Sequence, residues 1–147
     1  MRLLPLLLLA SCATAAPAAN QLADDLAHLR GCWIERRSDE ALTMRWKQGA
    51  SSPGDMVGDF LRYPRNGEPE PNRFILRDGE GGFLWCDQDL GMPHGPPCQP
   101  AVVGAGPPPD PESMWVRVTA SEEHLRVAIE SGETSSPIFD GARDGCD

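Results

Sequence analysis

Residues 113–130 read SMWVRVTASEEHLRVAIE, and they carry the clearest secondary-structure signal in the chain. In both halves apolar and polar residues alternate, which is typical of a strand with one buried and one solvated face. The expected inward residues are Met114, Val116, Val118, Leu125, Val127 and Ile129. The polar residues 121–123 separate the two halves. The segment therefore predicts an antiparallel β-hairpin that packs one face on a hydrophobic core.

The same period of two residues recurs on both sides of this hairpin. Leu42, Met44 and Trp46, for example, alternate with polar residues. Further strands are predicted at residues 32–37, 41–47, 56–63, 73–77 and 83–86, and around 137–139. Seven or eight short antiparallel strands suggest a meander that closes into a barrel, or an open sandwich. Closure is favoured because a closed barrel leaves no free strand edge.

A helical pattern precedes the strands. Leu22, Leu26 and Leu29 are spaced as on one face of a helix, Asn20 is a suitable N-cap, and Gly31 is a suitable stop. The expected fold is thus all-β: an antiparallel meander of about eight strands forming a small barrel, with one short N-terminal helix.

Length and charge narrow the classes of function. The chain has 147 residues, which is enough for one domain. Acidic residues outnumber basic ones, 22 to 13, and the net charge is −9. We therefore expect no nucleic-acid partner and no binding to an anionic membrane surface. After residue 12 no apolar run approaches the ~20 residues that span a bilayer.

The N-terminus has the features of an export signal. Met1-Arg2 is followed by an apolar run to Ala10, and then by Ser11-Cys12. Leu9-Ala10-Ser11-Cys12 resembles the bacterial lipobox, in which the cysteine is lipidated and becomes the first residue. We therefore interpret residues 1–11 as a signal peptide, 12–20 as an Ala/Pro-rich tether, and 21–147 as the barrel domain.

The resemblance implies a lipoprotein attached to a membrane only through a lipid on Cys12. Because residue 13 is Ala and not Asp, the expected location is the periplasmic face of the outer membrane. The alternative is cleavage after Ala15 or Ala18, which would give a soluble periplasmic protein.

Four cysteines remain beyond the tether, and an even number in an exported small domain indicates two disulfides. Three connectivities are possible. We predict Cys86–Cys98, which would pin a Pro-rich loop (residues 88–112) to its own strand. We also predict Cys32–Cys146, because the first strand of a closed meander lies beside the last.

Several short motifs resemble those of a known class of barrels. LAHLRGCW at residues 26–33 is similar to the opening of calycin-type barrels, which include lipocalins, fatty-acid-binding proteins and nitrobindin-like proteins. Trp46 with Gly49, followed by Met-Val-Gly at 56–58 and Arg-Phe-Ile-Leu at 73–76, more closely resembles an uncharacterised bacterial family of calycin-like barrels.

This resemblance covers residues 22–130 and implies a barrel, but no activity. The Pro-rich loop and the four cysteines depart from the family pattern.

Large side chains on the predicted inner face are the candidate ligand-binding residues. They are Trp46, Met56, Phe60, Phe74 and Trp85. Gly58 lies between two of them and is expected to leave a gap. These side chains either fill the barrel or line a cavity for one small ligand. Trp33 is expected to close the barrel floor, capped by Arg117 or Arg126 through a cation–π contact.

No catalytic constellation is evident. Met92, His94 and Cys98 are soft ligands that suit copper, but the predicted disulfide occupies Cys98. Asp87 and Asp89 are interpreted as solvated residues near a loop. We therefore expect no cofactor, no metal and no enzyme activity. The favoured function is an exported envelope protein that binds a small apolar or amphipathic ligand. The alternative is a barrel that binds an envelope protein, as protease or lysozyme inhibitors do, through the Pro-rich loop.

Overall fold

The computed structural model of the protein describes residues 19–52, 54–88, 98–108 and 110–146. Helix α1 spans Ala19–Leu29, and the strands are β1 Gly31–Arg36, β2 Glu40–Gln48, β3 Met56–Pro64, β4 Glu70–Gly79, β5 Gly82–Gln88, β6 Gln99–Val103, β7 Met114–Ala120, β8 His124–Ser131 and β9 Thr134–Asp144. Within these ranges no helix is long and apolar enough to cross a bilayer.

The strands close into a barrel in the order of the sequence, and β9 pairs with β1. The predicted all-β barrel with one short N-terminal helix is confirmed. Two details differ from the prediction: the barrel has nine strands instead of about eight, and one neighbouring pair, β6–β7, is parallel. The barrel is therefore mixed and is not a purely antiparallel meander.

The additional strand, β6, lies inside the segment that was expected to be an irregular Pro-rich loop. It contains Pro100, and it pairs with β5 through only three residues. β6 ends at Val103, at the helix end of the barrel, and β7 begins at Met114, at the opposite end, so the two strands are parallel. The tail also differs from the single short strand that was predicted. It forms the 11-residue β9, in which Pro137 lies opposite a register shift between Val127 and Ala128.

The two ends of the barrel differ. At the helix end, where β1 begins, α1 packs against β6 and β7 and its Leu29 is fully buried. At the far end, β1, β3, β5 and β8 finish, and the polar turn 65–69 connects β3 to β4. The helix begins at Ala19, one residue before the Asn20 that was predicted as its cap.

Arg143 closes the helix end by joining three parts of the chain. Its guanidinium donates hydrogen bonds to the carbonyl oxygens of His28 at 2.6 Å, Arg30 at 2.9 Å and Glu122 at 2.6 Å. The same group lies 4.0 Å from the ring centroid of Trp33. The prediction that Arg117 or Arg126 caps Trp33 is therefore wrong, since Arg117 stacks on Trp115 instead.

This arrangement requires a glycine at the start of β1. Gly31 has φ of +120°, and a Cβ there would lie 2.6 Å from a guanidinium nitrogen of Arg143. Trp33, buried beneath the guanidinium, donates its indole N–H to the Leu29 carbonyl at 3.0 Å. The end of α1 is thus held by side chains from both edges of the closing seam between β1 and β9.

The structure contains two disulfides, Cys32–Cys146 and Cys86–Cys98, which join the same cysteines that the sequence analysis paired. The first lies beside the β1–β9 seam and links residues 114 positions apart. The second links residues 12 positions apart and joins β5 to the residue before β6. The two bridges therefore constrain very different lengths of chain.

Candidate functional site

The candidate ligand-binding residues lie together on the inner face of β2–β5. They are Trp46, Met56, Phe60, Phe74 and Trp85, of which all but the half-buried Phe60 are buried. The ring of Phe74 lies 4.7 Å from that of Trp85 and 5.6 Å from that of Phe60, and the rings of Trp46 and Trp85 are 5.6 Å apart. We call the four aromatic residues the aromatic cluster. That the cluster binds a ligand stays a prediction.

Gly58 does not leave the gap that was expected. Trp46 lies directly across from it in the β2–β3 register. A Cβ at Gly58 would come within 2.8 Å of two atoms of the Trp46 ring. The indole therefore occupies the space above the glycine, because the absence of a side chain lets the ring lie flat against β3.

The indole nitrogen of Trp46 has no hydrogen-bond partner. Trp46 is only 2% exposed, and its Nε1 is the one buried side-chain nitrogen or oxygen without a partner among the residues that the structure describes. Trp33, equally buried, satisfies its own nitrogen with a backbone carbonyl. An unpaired buried donor costs about 1–3 kcal/mol, so a donor left in this state inside the cluster needs an explanation.

Above the aromatic cluster, the rim of the far end carries a chain of ion pairs. Arg37 contacts Glu35 at 2.6 Å and Glu40 at 2.9 Å, and Arg62 contacts Glu40 and, at 3.0 Å, Glu70. The side chains of Glu35 and Glu40 are 13% and 9% exposed. We call these five residues the rim network. Each carboxylate in the network has an arginine partner, so the network is internally compensated except for one negative charge.

The rim network keeps Glu40 ionised. The hydrogen bond from Arg62 lowers the pKa of the Glu40 carboxyl below its ordinary value; burial opposes this change, and the hydrogen bond from Arg37 adds to it. Because the pKa is lower in the folded state, these pairs stabilise the fold above the unfolded value of about 4.3. That contribution is lost as the pH falls through the lower folded value.

Beside the rim network, Asp87 lies on the inner face of β5. It pairs with Phe74 across the β4–β5 register and lies two residues after Trp85, on the same face. The Asn72 side-chain N–H donates to its carboxylate at 2.8 Å. Asp87, which was interpreted as a solvated residue near a loop, is the penultimate residue of β5, and it is half-buried at the edge of the aromatic cluster.

The sequence contained a signal for this position. Alternation along β5 places Asp87 on the same side as Trp85, but the prolines that follow suggested that the strand ended at Cys86. Asn72 lies one residue before the predicted strand 73–77, so alternation within that strand did not include it. Cys12, Asp89, Met92 and His94 lie outside the described residues.

The arrangement combines an aromatic surface, an unpaired N–H donor and a carboxylate within one wall of the barrel. A few polar groups converging on an apolar surface are typical of small-molecule binding sites. Across the described ranges, no group of three or more His, Cys, Asp and Glu residues is placed to hold a metal ion. In comparisons with models of protein families, with curated proteins and with solved structures, no match to this chain is found.

Proposed function

We propose that this protein is an exported, lipid-anchored envelope protein whose barrel holds one small apolar or amphipathic ligand against the aromatic cluster. The observation that carries the proposal is the unpartnered Nε1 of Trp46. A ligand with an oxygen acceptor would satisfy this donor while its apolar part contacts Phe74 and Trp85. The gain is specific, because the donor is already buried and its desolvation is not paid again when the ligand binds.

The proposal requires the aromatic cluster to open by a side-chain movement. Phe60 is the half-buried member of the cluster and lies on the far-end side of Phe74. Rotation of such side chains is common when a ligand binds, whereas the backbone of the barrel moves little. We therefore place the entry route at the far end, since α1, Trp33 and Arg143 close the helix end.

The test uses prodan, a neutral naphthyl ketone whose emission responds to its surroundings. We expect prodan to bind the wild-type protein, and Trp46→Phe to weaken binding about five- to ten-fold, because the ring remains but one hydrogen bond is lost. Affinity is measured by fluorescence titration. Trp115→Phe is the matched control, since Trp115 lies on the outer side of its strand and stacks on Arg117. Equal binding by the wild type and Trp46→Phe, or no binding at all, contradicts the proposal.

The second candidate is a protein-binding barrel that uses the Pro-rich loop. The Cys86–Cys98 disulfide favours it, since this bridge joins the two sides of the segment 87–97 and limits the entropy that a partner must remove. Residues 89–97 lie outside the described part of the chain. Failure of prodan to bind, together with a stable protein complex recovered from the organism's own envelope, would favour this candidate.

Export is supported by the two disulfides, which form in oxidising compartments. The anchor is tested with Cys12→Ala. We expect the wild-type protein in the membrane fraction and the variant in the soluble periplasmic fraction, because the variant lacks the thiol that carries the lipid. N-terminal sequencing of the mature wild type should give no sequence, because an acylated Cys12 blocks the terminus. A mature protein that begins at Ala16 or Ala19 would instead establish soluble export.

A further inference from the structure

Asp87 differs from the other inner carboxylates of the far end. Glu35, Glu40 and Glu70 each contact an arginine. Asp87 accepts one hydrogen bond from the neutral amide of Asn72, and no cationic side chain of the described residues contacts it. A half-buried carboxylate usually has a cationic partner, because partial burial weakens its hydration. Among the described residues, Asp87 has no such partner.

Asp87 places its negative charge in the same row of residues as two members of the aromatic cluster. In the strand registers, Trp46 lies across from Gly58, Gly58 from Phe74, and Phe74 from Asp87. The four residues thus form one row across the inner face of β2–β5. Of the closest pair of rings, Phe74 pairs with Asp87 in the strand register and Trp85 lies two residues before Asp87 on the same face of β5. Aromatic faces attract cations, so the rings and the carboxylate favour the same charge on a bound molecule.

The charged side chains around Asp87 also have a net negative charge. The inner far end carries four carboxylates, those of Glu35, Glu40, Glu70 and Asp87, against the two guanidinium groups of Arg37 and Arg62. The excess is two negative charges at one end of a chain whose net charge is −9. Such a field raises the local concentration of cations and disfavours anions.

From these observations we infer that the ligand is an organic cation: a protonated amine or quaternary ammonium group attached to an apolar body that bears an oxygen acceptor. The inference rests on the proposed function and adds the charge of the ligand. The cationic nitrogen pairs with Asp87 and the apolar body contacts Phe74 and Trp85. In a ligand long enough to cross the row, the oxygen accepts the hydrogen bond from Trp46 Nε1; a shorter cation makes only the first two contacts. Fatty acids and other anions are disfavoured by the same negative charges.

Two closely matched probes test whether the protein prefers a positively charged ligand. Phenylalaninamide and 3-phenylpropanamide share a phenyl ring and an amide carbonyl, and only the first has an amine. The titrations are made at about pH 6, where this amine is protonated. Each is titrated against prodan bound to the protein, with 3-phenylpropionate as the anionic member of the series. We expect the cation to compete about ten-fold more strongly than the neutral amide, and the anion to compete least.

Asp87→Asn should reduce the ten-fold preference to two-fold or less. Its side-chain oxygen can still accept from Asn72, so the fold is retained. Glu80→Gln, an exposed residue of the β4–β5 turn at the helix end, removes the same charge and should leave the preference unchanged. If prodan binds but the neutral amide competes as well as the cation, the inference is overturned and the proposed function stands. If neither prodan nor any amide binds, both are overturned.

Discussion

Replacing both Cys32 and Cys146 by serine is expected to lower the free energy of unfolding by about 5 kcal/mol, a large fraction of the about 5–15 kcal/mol that stabilises a typical domain. The bridge spans 114 positions, so its loss gives the unfolded chain far more conformational freedom. The seam that it supports is short, because β1 and β9 pair only through residues 32–34 and 142–144. Urea unfolding followed by circular dichroism measures the change.

The Cys86→Ser/Cys98→Ser double variant is the matched control. It also replaces two bonded cysteines with serine, but the loop that they close spans only 12 positions. The chain-entropy argument gives a loss of about 3 kcal/mol. The first variant should therefore be less stable than the second by about 2 kcal/mol. Equal losses, or the reverse order, would mean that native-state strain and not loop length determines the contribution of these bridges.

Replacing Arg143 by methionine is expected to cost about 3 kcal/mol. Methionine keeps much of the apolar stem but loses three hydrogen bonds to backbone carbonyls and the cation–π contact with Trp33. Those carbonyls belong to the end of α1 and to the β7–β8 turn, so a single substitution loosens several elements at once. Urea unfolding gives the loss of stability, and the near-ultraviolet circular dichroism of Trp33 should weaken in the same variant.

Arg126→Met serves as the comparison for this substitution. Arg126 is on the neighbouring β8, where its Nε lies 3.6 Å from Asp140 and another nitrogen donates to Ser135 at 3.0 Å. Such exposed pairs contribute less than about 1 kcal/mol. A comparable loss in both variants would show that removal of any surface arginine destabilises the barrel, and that Arg143 has no special role in closing the helix end.

Local patterns in the sequence predicted most of the fold. Alternation identified eight of the nine strands, since a half-buried strand leaves a period of two in its own residues. It missed β6, because Pro100 cannot donate a ladder hydrogen bond and the surrounding prolines suggested irregular structure. The parallel direction of β6 also leaves no local trace, as it depends on the end of the barrel at which β7 begins. The identity of Arg143 as the partner of Trp33 depends on contacts across the whole chain.

The candidate site was predicted less completely. The aromatic residues were placed on the inner face correctly, because parity along a strand fixes the side to which each points. Which side chain lies against Gly58 depends on the β2–β3 register, which the turn 49–55 sets and the alternation does not. Asp87 was interpreted as solvated, because polar residues near predicted loops are usually solvated, and Asn72 lay outside the predicted strand 73–77. Asn72 and Asp87 are exceptions that only the register of β4 with β5 reveals.

The seam between β1 and β9 also governs the timing of folding. Cys32 pairs with Asp144, so the ring can close only after the last strand has reached the first. Contacts between such distant parts of a chain form slowly, because the long intervening loop loses entropy before the contact forms. Until then β1 presents a free edge to which other copies could add. In the folded state the Cys32–Cys146 bridge lies beside this edge, so once it has formed with β9 in place it prevents the ring from opening fully at the seam.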